Sequence, residues 1–118
     1  MDISEHLEAF ARSFVLKSKV DRWVGILTKH KSKNYSQSSK LYDHLDHRFL
    51  TRNDDLTKLV SDEFIGVFYD FSDPPQEMSF AEAKSVGDGS DAIFSIEPGK
   101  LAVFFFHEYE NYVLKTKI

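Results

Sequence analysis

Apolar and polar positions in the first thirty residues follow a helical rhythm. Ile3, Leu7, Phe10 and Phe14 recur at spacings of three and four and make one apolar face. Asp2, with Glu5 three residues later, reads as a capping-box start. A second stripe, Leu16, Val20, Trp23, Val24 and Leu27, is rotated from the first by roughly a quarter-turn or more, taking about 100° per residue. The offset predicts two helices, 3–16 and 19–30, with Ser18 and Asp21 as a second capping pair. One long helix with a wide buried face is the alternative. Residues 29–40 (KHKSKNYSQSSK) have loop composition, with Tyr35 their only apolar side chain. The serines within 36–39 can cap a third helix carrying Leu41, Leu45 and Phe49, and Asn53 or Asp54 a short turn with Leu56, Leu59 and Val60.

Near position 62 the rhythm becomes extended. Residues 64–71 (FIGVFYDF) are aromatic and β-branched, are stopped by Asp73-Pro74-Pro75, and read as a strand. Ser79 and Glu82 form a capping box for a short helix ending near Gly87, and Asp88-Gly89-Ser90 turns the chain. Strands follow at 92–97 and 100–107, joined at Glu97-Pro98-Gly99-Lys100, where a wider turn or a bulge suits the residues better than a two-residue loop. A last strand, 112–118, puts Tyr112, Leu114, Thr116 and Ile118 on one face and Lys115 and Lys117 on the other. The stretch 101–106 is apolar on both faces and belongs at the sheet centre, covered on both sides. The lysine-bearing last strand reads as half-exposed. The expected class is α+β: three or four N-terminal helices packed on an antiparallel sheet of about four strands, in one domain of 118 residues.

Composition narrows the class. The chain is 42% hydrophobic, with eleven phenylalanines, one tryptophan and no cysteine, which excludes disulfides and thiolate metal sites. No stretch reaches the length of a membrane span, and the first residues lack the basic region of a secretory signal, so a cytoplasmic protein is the expectation.

Charge is segregated. Residues 12–40 carry eight basic side chains against one acid, Asp21, while residues 41–110 carry five basic against fifteen acidic. Lys19, Arg22 and Lys29 fall together on the outward face of the second predicted helix, and Lys31 and Lys33 follow in the loop. With Trp23 and Tyr35 near, this strip is a candidate anion- or partner-binding surface. Trp23 also lies on the apolar stripe and is expected in the core. The acidic remainder of the chain would repel phosphate, which makes nucleic acid the less favoured partner.

Candidate chemistry is sparse. In the helix expected over 41–49, Asp43 and His47 are four apart and His44 and His47 three apart, so two of them can share a face for a metal or a proton relay, with His107 or Glu108 as a further ligand. The ordinary alternative is a solvated charged face with Leu41, Leu45 and Phe49 inward. That alternative is preferred, and no metal and no cofactor are expected. His107, beside Glu108 and Glu110 at a strand end, is a candidate for acid–base work, or part of a polar turn. The stretch 87–91 (GDGSD) lacks the spacing of a phosphate or calcium loop, and no standard enzyme signature is present.

Two resemblances add to this reading. Helices first, then a strand, a helix begun by Met78-Ser79-Phe80-Ala81-Glu82, and three antiparallel strands resemble in order the cone-shaped NTF2-like fold, whose members include pocket enzymes, ligand binders and adaptors. The likeness implies a fold; it carries over no catalytic residue, and the fold's first hairpin is missing or compressed. Ser13-Phe14-Val15-Leu16-Lys17, Asp21-Arg22-Trp23 and Pro98-Gly99-Lys100-Leu101-Ala102 are similar to stretches of short, uncharacterised bacterial proteins, which implies no activity. The leading expectation is a non-enzymatic protein-interaction module, such as an adaptor or an immunity-type inhibitor of a basic toxin, since acidic surfaces speed association with basic partners. A pocket protein using His44, His47 or His107 and a nucleic-acid binder using residues 12–40 are the alternatives.

Overall fold

The computed structural model describes residues 2–29, 31–52, 58–107 and 110–116, with the backbone alone at 32 and 33. Four α-helices occur among them: α1 (Ile3–Phe14), α2 (Val20–Thr28), the single turn α3 (Leu41–His44) and α4 (Phe80–Gly87). Six strands form one antiparallel sheet: β1 (Leu50–Arg52), β2 (Ile65–Tyr69), β3 (Gln76–Ser79), β4 (Ala92–Glu97), β5 (Leu101–Phe105) and β6 (Asn111–Lys115). Their order across the sheet is β1-β6-β5-β4-β2-β3. The class is α+β, with helices leading and strands following.

Local signals act where they were read. The Asp2 carboxylate accepts the Glu5 backbone N–H at 2.8 Å, and the Ser79 hydroxyl accepts that of Glu82 at 3.3 Å, capping α1 and α4. The first thirty residues are two helices, not one. Val15 is extended, and a 3-10 turn at Lys17–Lys19 leads into α2. Gly99, at φ +70, turns β4 into β5, and a register shift between Ser95 and Glu97 supplies the irregularity expected there.

β5 is central and covered on both faces. Ala102 and Phe104 point to one side with Val67, Tyr69, Ile93 and Leu114, where Leu7, Phe10, Phe14, Trp23 and Leu27 of α1 and α2 complete a cluster. Val103 and Phe105 point to the other side with Phe68, Phe94 and Val113, beneath Phe80 and Ala83 of α4 and Val60. Burying ring-sized side chains on both faces stabilises by about 1.5–3 kcal/mol per side chain, which makes this double layer the main cohesive term. The side under α1 and α2 is filled by aromatic rings, among them Phe10, Phe14, Trp23, Tyr69 and Phe104.

Several expectations are corrected. Residues 29–40 are not open loop; Ser32–Lys40 winds as 3-10 helix, with Asn34 and Ser38 buried. The third helix is cut at Leu45, whose extended backbone bridges Val15. Leu16 N–H reaches His44 C=O at 2.8 Å, and Asp46 N–H reaches Phe14 C=O at 2.7 Å. These bonds tie the end of α1 to the end of α3, a pairing that helical periodicity does not reveal. Ser18 does not cap α2, whose N-cap position is Lys19 and has no side-chain cap, and Ser38 turns its hydroxyl to Tyr35 C=O instead of capping α3.

Two short strands add to the expected four. β6, expected over 112–118 and half-exposed, spans Asn111–Lys115 and has Tyr112, Val113 and Leu114 buried, because both faces of the sheet are covered there and β1 pairs along its outer side. β2 ends at Tyr69 rather than Phe71; Phe71 has φ 69 and is fully buried against Trp23. The proposed cap at Asn53 or Asp54 lies outside the described residues, as do Glu108, Lys117 and Ile118.

Candidate functional site

Three of the five basic residues singled out in the sequence converge. Arg22, Gly25 and Ile26 lie at i, i+3 and i+4 on one face of α2, and Lys29 is its C-cap, with non-helical backbone. Opposite them, Lys31, Asn34, Ser36 and Gln37 belong to the 3-10 stretch and the residue before it. Between the two runs is a groove of about 500 Å³. Among its described lining residues three are cations and none is a carboxylate. Lys19 stands instead at the start of α2, where its charge acts on His44, and the Lys33 side chain lies outside the described residues.

Asn34 builds the groove. Its side-chain N–H₂ is shared between Ile26 C=O at 3.0 Å, Lys29 C=O at 3.2 Å and the Tyr69 hydroxyl at 3.1 Å. Two of those acceptors are carbonyls at the end of α2, which lack helical partners. The same amide therefore closes the helix, ties the 3-10 stretch to it and anchors both to β2. Burial raises the pKa of the Tyr69 hydroxyl, so it remains a neutral group at this junction. Across the groove mouth, Arg22 Nη2 donates to Gln37 Oε1.

Gly25 is the floor. A Cβ built there meets nothing within 4 Å, so no packing contact excludes a methyl group. Glycine in a helix interior costs roughly 0.5–1 kcal/mol relative to alanine. The fold therefore carries a residue of low helix propensity on the groove floor. Sequence reasoning missed Gly25, Ile26, Asn34 and Gln37; a glycine inside a helical pattern, midway between Arg22 and Lys29, was the readable signal.

The histidines are not brought together. His44 Nδ1 accepts the indole N–H of Trp23 at 2.9 Å, which leaves its proton on Nε2. Desolvation, then the charges of Lys19 and Arg22, lower its pKa. His47 Nε2 bonds Tyr42 C=O at 2.9 Å, and its ring leans on that of Tyr42. With α3 ended at His44, no helical face joins Asp43 to His47. Among the described residues, no three His, Asp or Glu side chains are grouped as a metal ion would need.

His107 sits elsewhere. Its backbone N–H and its Nδ1 both meet Asp91 Oδ1, at 3.0 and 2.9 Å, so a largely buried carboxylate orients a half-exposed imidazole. The recess beside it, shared with Ser38, Ser72 and Ser90, is about 130 Å³. Small-molecule pockets run to about 300–1,000 Å³. Asp70, on the same recess, is engaged in its own turn, accepting the N–H groups of Ser72 and Asp73. The α2 groove is larger than this recess and gathers three cations with no carboxylate among its described lining residues.

A further His contact went unread in the sequence. His6 Nδ1 and the fully buried Ser95 hydroxyl lie 2.7 Å apart, joining α1 to β4. Among the described residues, no helix is long and apolar enough to cross a membrane. No family model matches this chain, and no curated protein or solved structure is significantly similar to it.

Proposed function

We propose that this chain is a non-enzymatic protein-interaction module whose α2 groove takes an acidic segment of a partner protein. The observation that carries the reading is the lining of that groove: Arg22, Lys29 and Lys31 around an uncharged floor, with no carboxylate among the described lining residues. Cations held at fixed spacing favour an anionic ligand and reject a basic one. Asp70, Asp73 and Glu82 line a smaller recess of about 250 Å³, where Asp70 is engaged by the N–H groups of Ser72 and Asp73. Asp62 is paired with Lys84, and Asp91 is committed to His107.

A nucleic-acid ligand fits less well. Single strands need exposed aromatic rings on which bases stack. Trp23 is fully buried with its N–H engaged, and the exposed Tyr35 lines the His107 recess, not the groove. The net charge of −4 adds repulsion toward a polyphosphate. An adaptor suits this description better than an inhibitor of a basic toxin, which this cationic groove would repel, and a cysteine-free chain suits the cytoplasm.

The test is fluorescence anisotropy with a labelled hexaglutamate peptide, against the wild type and an Arg22→Glu, Lys29→Glu double variant. A single-stranded oligonucleotide of equal charge is titrated beside it. The reading expects the peptide to bind the wild type, to lose about tenfold or more in affinity for the variant, and to bind more tightly than the oligonucleotide. Failure of the wild type to bind the peptide, equal binding by the variant, or tighter binding of the oligonucleotide would overturn it.

A further inference from the structure

We infer that the partner segment lies along α2 as an extended, polyproline-like chain, its backbone over Gly25 and two acidic residues three apart on Arg22 and Lys29. This rests on the proposed function and specifies its ligand.

Spacing comes first. Seven positions separate Arg22 in α2 from Lys29, its C-cap, about 10 Å along the axis at the helical rise. In a polyproline II chain three residues complete a turn and advance about 9 Å, so residues i and i+3 face the same way at that separation. A flat β-strand brings residues two apart to one face at only about 7 Å, and turns residues three apart to opposite faces. The polyproline-like segment matches this distance and carries both acids on one side.

The floor agrees. Space is open above Gly25, so a peptide backbone can approach the helix there as it could not above a larger side chain. Ile26, half-buried beside it, offers an apolar contact to a side chain between the two acids.

The polar end agrees as well. Arg22 is already held by the neutral carbonyl of Gln37, which marks where an incoming oxygen sits. A carboxylate is the stronger acceptor, because a hydrogen bond between two charged groups exceeds one to a neutral amide. Gln37 thus keeps Arg22 extended across the groove mouth until a carboxylate replaces it.

Two labelled peptides of identical composition test this. One carries the order Glu-Leu-Pro-Glu, the other Glu-Glu-Leu-Pro, each between alanines. Both are titrated against the wild type, Gly25→Ala and Gly25→Leu, with thermal melting of each variant by circular dichroism. The spaced peptide is expected to bind the wild type at least about fivefold more tightly than the contiguous one. Gly25→Leu is expected to cost the spaced peptide about tenfold while its melting temperature does not fall, and Gly25→Ala to melt higher than the wild type. Equal affinity for the two orders, or undiminished binding by Gly25→Leu, overturns the inference and leaves the proposed function standing. Binding of neither peptide by the wild type overturns both.

Discussion

The indole N–H of Trp23 donates to Nδ1 of His44 at 2.9 Å, and the two rings meet edge-on. The bond joins the buried face of α2 to the last residue of α3, beside the Val15–Leu45 bridge that ties the end of α1 to the end of α3. Removing the acceptor while keeping a ring leaves a buried donor unpaired, which costs about 1–3 kcal/mol. His44→Phe is accordingly expected to lose about that much stability. His44→Gln, which returns a side-chain carbonyl, is expected to lose less. Urea unfolding followed through Trp23, the single tryptophan, measures both; a His44→Phe protein as stable as the wild type would show that the bond contributes nothing.

Acid should weaken the fold through two histidines. His6 is held below its ordinary value of 6.5, chiefly by burial, against the opposing pull of Glu77 and nearby backbone groups. His44 is lowered by burial and by Lys19, Arg22 and Lys40, against Asp43. A lowered folded pKa means that the unfolded chain binds the proton more readily. Their contribution to stability is therefore complete above about pH 6.5 and is lost as pH falls through the lower folded values. The Asp46 carboxyl, held below its usual 3.8 by Arg48, yields only in stronger acid, so the two windows separate. Denaturant midpoints across the mildly acid range should fall in the wild type and stay nearly level in a His6→Gln, His44→Gln variant. Equal slopes in the two proteins would count against this assignment.

Two glycines should respond with opposite sign. At Gly99, φ is +70, and a Cβ would stand 2.7 Å from Ser13 Oγ. Gly99→Ala is expected to destabilise by about 1–2 kcal/mol from the backbone alone. At Gly25 nothing is met, and Gly25→Ala is expected to stabilise by about 0.5–1 kcal/mol. Thermal melts of the two variants decide it; a destabilised Gly25→Ala would mean that the glycine serves the helix and not the groove.

What could be read in the chain was what short stretches decide alone. The Asp2 and Ser79 caps, the break between α1 and α2, the doubly covered β5 and the irregular turn at Gly99 all follow from residues within a few positions of one another. Leu45 could not be read, since its partner Val15 lies far back in the chain and overrides a helical spacing that Leu41, Leu45 and Phe49 satisfy. β1 and β3, at three and four residues, are too short to show alternation, and the prolines before β3 read as a stop. The groove was half legible. Arg22 and Lys29 declare themselves by spacing, whereas the opposite wall exists because Asn34 reaches Ile26, Lys29 and Tyr69 at once. The three candidate histidines share a residue type but not a location, which spacing along the chain cannot tell.

The most direct measurement is a map of backbone amide shifts in ¹⁵N-labelled protein as unlabelled hexaglutamate is added. The account predicts saturable shifts concentrated at Arg22, Gly25, Ile26, Lys29 and Lys31, extending to Asn34 and Gln37, and fading as salt is raised. Shifts centred on His107 and Asp91, or spread evenly over the lysines of the surface, would contradict it.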